Sequence, residues 1–434
     1  MLLFLIAALH GSLHFIDDDY PKALAEARAQ HKAVFIDFWA TWCHSCLSMQ
    51  RFVLSDPGMK PVSDEVVWLS IETEAEKNRP AVEKYPLDGW PTFLVIDPDS
   101  EQVIGRWLGS SSVKEMRAFV EDGARKYRAK GKLDAAEAAQ RDGDQARIRG
   151  DLKAAADAYG RSVALSKPGD AQRSERLTLY VSALRKLDTP EAARTCVELG
   201  LKEARKLGNS AVALDFVSYA DNCGERLPKG DALARKMRQL AIARIREVLH
   251  EKDAPLAADD RSDGLSTLAQ MLDDAAKHEE AVAAMRERAR LLEAAAAAAP
   301  DATMASTFDP HRTDTYLYLG EPEKAERLLA QREKEMSEDY NPPARLARVY
   351  FEEKKLAEAE AAVDRALSKM TRGQRRLGIL GLKAKILGAE GKPSDAVVRE
   401  QLEVSRELPK TQRNPQLEAK LEEQLRRSKG QATR

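Results

Sequence analysis

Asp37-Phe38-Trp39-Ala40-Thr41-Trp42-Cys43-His44-Ser45-Cys46 is the stretch on which the fold turns. It begins inside Ala33–Trp39 (AVFIDFW), a nearly continuous apolar run of the kind that forms a central strand buried on both faces. From Cys43 to Leu54 the pattern changes to that of a helix, with Cys46, Met49 and Val53 at i, i+3 and i+7. Ser55-Asp56-Pro57-Gly58 stops it. Cys43 therefore falls at a strand-to-helix junction, at the N-terminal end of a helix. Unpaired backbone N–H groups and the helix dipole stabilise a thiolate there, the form that attacks disulfides. Cys46, one turn later, is placed to displace a mixed disulfide formed at Cys43.

Zinc and iron–sulfur sites use the same spacing, but they need further ligands, and no second CxxC exists in the chain. The pair reads as redox-active, with no metal and no cofactor beyond the Cys43–Cys46 disulfide itself. Outward from it, Leu13–Ile16 reads as a strand and Pro21–Gln30 as a helix with Leu24 on its apolar face. Val66–Ile71 reads as a strand, and Ala75–Tyr85 as a helix interrupted at Pro80. Thr92–Asp97 and Gln102–Trp107 flank the turn Pro98-Asp99-Ser100 as an antiparallel hairpin, and Val113–Arg128 closes the unit as an amphipathic helix. The order βαβαβαββα puts crossovers first and a hairpin last, an α/β arrangement.

With that order in hand, the Asp37–Cys46 stretch resembles the active site of thioredoxins, and Gly89-Trp90-Pro91-Thr92 resembles their cis-proline loop. Ser55-Asp56-Pro57 and the apolar residues before it are closer to the C-terminal domain of the DsbD-type disulfide interchange proteins. The resemblance covers residues 13–128 and implies a thioredoxin fold. It implies that Cys43 is an exposed nucleophile and Cys46 a buried resolving thiol. It also implies that Pro91 is cis and faces the disulfide, leaving nearby backbone to pair with an extended substrate. Asp37 takes the family's buried-acid position, from which it could accept the Cys46 proton; the alternative is a hydrogen-bonded strand residue with no catalytic part. Two departures stand out. His44-Ser45 replaces the Gly-Pro of thioredoxins, and VVWLSIE (66–72) lacks the lysine often found near the buried acid, which leaves the state of Asp37 open. An imidazole at His44 is expected to favour the Cys43 thiolate and make the pair more oxidising than thioredoxin; the alternative is a ring pointing into solvent. Trp39 and Trp42 read as aromatic packing around the motif, with Trp42 also tuning the site. Glu72, Glu74 and Glu76 read as a solvated acidic face.

Composition divides the chain. All five tryptophans precede residue 108, and alanine, leucine, lysine, arginine and glutamate dominate after residue 128. Residues 132–425 read as paired helices of tetratricopeptide-like type, an all-α solenoid in which each helix packs only on its neighbours. Ala325 and Leu329 precede Ala359 and Val363 by 34 residues each, the period of that repeat. Further copies place Leu265, Leu268, Ala269, Leu272 and Ala281, then Gly143, Ala155 and Tyr159, then Leu380, Leu387 and Ala396, at packing positions. An irregular helical bundle is the alternative. Cys196 and Cys223 read as ordinary small buried residues, a bridge between them having no support in the sequence.

Basic and acidic residues number 69 and 70, so no net field draws the chain to nucleic acid or anionic lipid. The apolar run Leu2–Leu9 is too short to span a bilayer. Residues 1–12 resemble the apolar core of a signal peptide without its basic flank; a strand or an apolar tail is the alternative. The expected function is thiol:disulfide exchange on protein disulfides or with a redox partner protein, with a peptide or protein docked on the repeats. An interaction scaffold whose first domain only binds is the second reading. The location leans to the bacterial periplasm or cell envelope, with the cytoplasm as the alternative.

Overall fold

The computed structural model describes residues 13–432 apart from 88, 131, 168–169, 171, 371 and 410–411. The apolar leader at 1–12 lies outside the described residues. Five strands form one mixed sheet: β1 (Phe15–Asp17), β2 (Ala33–Trp39), β3 (Val66–Glu72), β4 (Thr92–Ile96) and β5 (Val103–Leu108), in the order β1-β3-β2-β4-β5. β3 runs parallel to β1 and β2, whereas β4 is antiparallel to both β2 and β5. This is the thioredoxin-like α/β arrangement the sequence implied.

Local chemistry explains the helices on this sheet. α1 (Tyr20–Gln30) starts where the Asp19 carboxylate accepts from Lys22 N at 3.0 Å. α2 (His44–Ser48) runs on into a π-helical turn, Met49–Leu54, so the single regular helix expected over 43–54 is widened in its second half. The helix expected over 75–85 is a 3₁₀ turn (Glu76–Asn78) followed by α3 (Arg79–Lys84), with Pro80 in the first turn, where no backbone donor is needed. α4 (Val113–Arg128) opens on a capping box in which Ser112 and Glu115 satisfy each other's backbone N–H. Its face Met116, Phe119, Val120 and Ala124 joins Phe35, Trp68, Phe93 and Trp107 in one buried core. Phe35 sits at its centre, its ring 4.7 Å from Trp68 and 5.7 Å from Phe93.

After residue 134 every regular element is helical among the described residues: α5 (Ala135–Ile148), α6 (Leu152–Leu165), α7 (Arg173–Leu187), α8 (Pro190–Glu203), α9 (Ala211–Gly224), α10 (Ala232–His250), α11 (Ala258–Asp274) and α12 (His278–Ala297). Then follow α13 (Ala302–Ser306), α14 (Asp309–Tyr318), α15 (Pro322–Glu335), α16 (Asn341–Glu352), α17 (Leu356–Ser368), α18 (Gly373–Ala389), α19 (Asp395–Glu407) and α20 (Pro415–Ala432). The described chain packs as two compact units, one built from residues up to Thr73 with Lys84–Ala284, the other from Glu74–Glu83 with the residues from Met285 onward.

In the first unit α5–α6, α6–α7, α8–α9 and α9–α10 pack as sequence neighbours, and α7–α9 and α8–α10 as next-but-one neighbours, as in a helical-repeat array. Packing is not confined to these helices, contrary to expectation. α5 and α7 also lie on β5, α11 meets α2, and Val212 of α9 enters the core of the sheet. Arg106 of β5 and Asp144 of α5 form an ion pair at 2.9 Å with side chains 0 % and 2 % exposed, and the Tyr159 hydroxyl also donates to Asp144. Cys196 and Cys223 correct the sequence reading: they form a disulfide between α8 and α9, both fully buried. Two helices packed side by side bring the thiols together, a proximity that a separation of 27 residues does not announce.

In the second unit Ala325, Leu329, Leu346, Ala347, Ala359, Val363 and Ala366 are buried together, as the repeat period required. The last copy is displaced by a residue: Val397 and Val398 are buried where Ala396 was expected. Of the expected acidic face, Glu76 is exposed and Glu74 is half-buried, and both carry partners. Glu74 accepts from Arg375 N at 2.9 Å in the first turn of α18, and Glu76 pairs with Arg372 at 2.7 Å.

Candidate functional site

The site begins with β2, which is the middle strand and fully buried up to Trp39. The chain leaves it, turns through Ala40, whose carbonyl accepts from Cys43 N at 3.0 Å, and enters α2. Cys43 is the N-cap, and its sulfur accepts from Cys46 N at 3.1 Å. In the reduced protein that same donor and the helix end would face a thiolate. The two cysteines are joined as a disulfide, with Cα atoms 5.3 Å apart.

Cys46 is fully buried, as implied, but Cys43 is only 4 % exposed rather than the exposed nucleophile expected. The cause is local: Trp39, Trp42 and Trp90 pack around the pair, and the Trp42 and Trp90 rings meet edge-to-face at 5.2 Å. Thr73 ties this wall together, donating to Trp39 O and accepting from Trp90 Nε1 at 3.1 Å. The Trp90–Pro91 bond is cis, and Pro91 O accepts from Gly109 N, which joins this loop to the one after β5.

Asp37 lies on β2 opposite Ser70 of β3, where the resemblance would put a lysine nearby. It is 1 % exposed, its Oδ2 accepts from Gln50 Nε2 at 2.8 Å, and its Oδ1 is buried without a hydrogen-bond partner. Burial pushes its carboxyl up to about 7, with the Gln50 bond pulling the other way. The acid thus titrates near neutrality, the range in which a side chain can both take and return a proton.

His44, the first residue of α2, reaches a carboxylate of α11. Its Nε2 lies 3.5 Å from Asp263 Oδ2 of α11, and the ring is 31 % exposed. Carboxylates gather around it and around the loop after β5. Burial and the neighbouring charges of Asp259 and Asp263 push Asp260 up to about 7. Burial and the charges of Asp260 and Asp263 push Asp215 up to about 8. His44, Asp259 and Asp263 offer ligand atoms within 4.8 Å of one another, a nitrogen-and-carboxylate set of the sort that holds divalent ions. Sequence reading named Cys43, Cys46, Asp37, Pro91, His44 and Trp42, and the structure gathers the two cysteines, Trp42 and Trp90-Pro91 at one end of the sheet. It missed Gln50, Thr73 and the carboxylates of α9 and α11.

A mixed sheet in this order, a dithiol heading a helix off the central strand and a cis-proline beside it define a thioredoxin-like domain. Residues 15–98 match the thioredoxin-like family model. Among curated proteins, the chain is similar to the thiol:disulfide interchange protein DsbD of Pseudoalteromonas atlantica, 29 % identical over 90 residues, 20 % of this chain and 15 % of that one. It is likewise similar to protein disulfide-isomerase 1 of Dictyostelium discoideum, 29 % identical over 96 residues, 22 % of this chain and 26 % of that one. DsbD of Pseudomonas fluorescens is 32 % identical over 82 residues, 18 % of this chain and 14 % of that one. The chain thus spans no more than about a quarter of the length of these relatives. Among solved structures, a tetratricopeptide repeat protein from Parabacteroides merdae aligns with 66 % of this chain and 96 % of its own at TM-score 0.40 and 13 % identity. The Cut9–Hcn1 hetero-tetramer aligns with 67 % of this chain and 50 % of its own at TM-score 0.29 and 11 % identity. No described helix is long and apolar enough to cross a membrane.

Proposed function

We propose that this chain is a thiol:disulfide oxidoreductase acting on protein disulfides, with its helical array docking the partner. The observation that carries the reading is the Cys43–Cys46 disulfide at the head of α2, in a domain whose central strand also holds a buried carboxyl, Asp37, that titrates near neutrality. In the reduced form the Cys43 thiolate attacks a substrate disulfide and a mixed disulfide forms, one substrate sulfur leaving with the electron pair. Cys46 gives its proton to Asp37, and the resulting thiolate attacks the Cys43 sulfur. The Cys43–Cys46 bond forms, the bond to substrate breaks, and the second substrate sulfur leaves as thiolate. The buried Cys196–Cys223 disulfide favours a compartment in which disulfides persist, such as the bacterial periplasm or cell envelope.

The test is turnover of an insulin-type disulfide by the purified chain, with trapping in cells. Cys43→Ser abolishes turnover, and Cys46→Ser accumulates mixed disulfides through Cys43. A Cys46→Ser protein whose Cys43 stays reactive yet traps nothing defeats this mechanism. The second reading, a binding module without exchange, is favoured by one observation, the 4 % exposure of Cys43. It predicts partner binding that survives Cys43→Ser unchanged.

A further inference from the structure

We propose that Gln50 is a positioning residue for proton transfer: its amide holds Asp37 by one oxygen and reserves the other for the proton of Cys46. The inference rests on the exchange reading above. Cys46 and Gln50 are i and i+4 on one helical segment and so share a face. Gln50 reaches Asp37 Oδ2 at 2.8 Å, which places that face, with Cys46 one turn back, over the acid. The chain widens into a π-helical turn from Met49, burying Met49, Val53 and Leu54 while Gln50 is half-buried and bonded inward. Such turns cluster at functional sites because they re-aim one side chain.

The chemistry follows from what an amide nitrogen can do. It donates and never accepts, so it bonds Oδ2 whether Asp37 is ionised or protonated, and it excludes a proton from that oxygen. The proton then goes to Oδ1, which is buried and has no hydrogen-bond partner. A lysine in this place would also donate, but its charge would hold the carboxylate ionised and weaken it as a base. Ser70 faces Asp37 across β2 and β3 and carries no charge. In the step concerned, the Cys46 S–H proton passes to Asp37 Oδ1 and the Cys46 electron pair forms the bond to Cys43. The Cys43–substrate bond breaks, with its pair leaving on the substrate sulfur.

The experiment uses the reduced full chain, with Cys43 converted to a mixed disulfide with 5-thio-2-nitrobenzoate. Release of that coloured thiol by Cys46 is followed from pH 5 to 9 in the native protein, Gln50→Lys, Gln50→Leu and Gln50→Met. The Asp37 carboxyl is titrated in parallel by carbon NMR. Gln50→Lys is expected to move both the acid limb of the rate profile and the Asp37 titration down by about one pH unit or more. Gln50→Leu and Gln50→Met move both upward and slow release several-fold at pH 7. If the variants unfold at the native temperature and both curves stay where they are, Gln50 does not set the acid and the inference fails. If the Asp37 titration moves while no protein releases the thiol, the positioning stands and the exchange reading is the part that fails.

Discussion

Asp37 is a carboxyl that folding makes harder to ionise, and the sign of that shift has a measurable effect. Its folded value of about 7 lies above the ordinary value of 3.8, so the folded state binds the extra proton between them. Stability contributed in this way is present at low pH and is lost as pH rises through that window. Asp37→Asn removes the dependence. The variant should gain on the native protein by about 1–3 kcal/mol between pH 5 and pH 8, read from urea unfolding at each pH. A difference that is the same at both pH values would show that Asp37 ionises freely in the folded chain. Much of the site at this scale was legible: two cysteines, a cis-proline and an acid at fixed offsets need no tertiary information. Gln50 was not, because a polar residue in Cys43–Leu54 reads as a solvent-facing helical position until the π-helical turn directs it inward. The orientation of His44 was hidden for a different reason, since its partner Asp263 comes from a helix more than two hundred residues away.

Among the elements, the loop after β5 depends most on one residue. Gly109 has φ +81, a conformation that side chains resist, and a Cβ there would lie 2.5 Å from Asp215 Oδ2 of α9. Its N–H also donates to Pro91 O of the cis-proline loop. Gly109→Ala should therefore cost more than about 2 kcal/mol in unfolding and loosen both the cis-proline loop and the seat of α9. Hydrogen exchange at residues 90–92 and 211–216 measures the two consequences together; unchanged protection in both segments would refute the coupling. Strands and long helices were readable because their periods of two and 3.6 residues are set by burial on a face. The short elements were not. The interruption expected at Pro80 falls instead before Arg79, where a 3₁₀ turn gives way to α3, and the choice of Val397 and Val398 over Ala396 rests on which neighbour α19 meets.

At the level of the molecule, the change of composition near residue 128 marks a change of architecture but not a seam. β5 is covered by α5 and α7, Val212 fills the sheet's core, and Arg106 is fully buried against Asp144. Cutting after residue 128 would expose that apolar face and return the Arg106 guanidinium, stripped of its carboxylate, to water. A fragment of residues 13–128 should be insoluble or melt well below one of residues 13–284, by calorimetry or circular dichroism. Equal melting temperatures would mean that the thioredoxin-like sheet is self-sufficient. The sequence did not reveal this dependence because Arg106 and Asp144 are ordinary charged residues in their local contexts. Only the packing of α5 on β5 removes them from water.

The chain also holds two sulfur pairs of unlike standing, Cys43–Cys46 beyond the end of the central strand and Cys196–Cys223 sealed between α8 and α9. A thiol count on the native protein and one on the denatured protein are therefore different measurements. Alkylation of the folded protein after gentle reduction should tag Cys43 and leave the sealed pair dark, so the redox state of the site can be scored by mass without interference from its own scaffold. The hidden pair then serves as an internal standard: it reacts only once the helices have come apart.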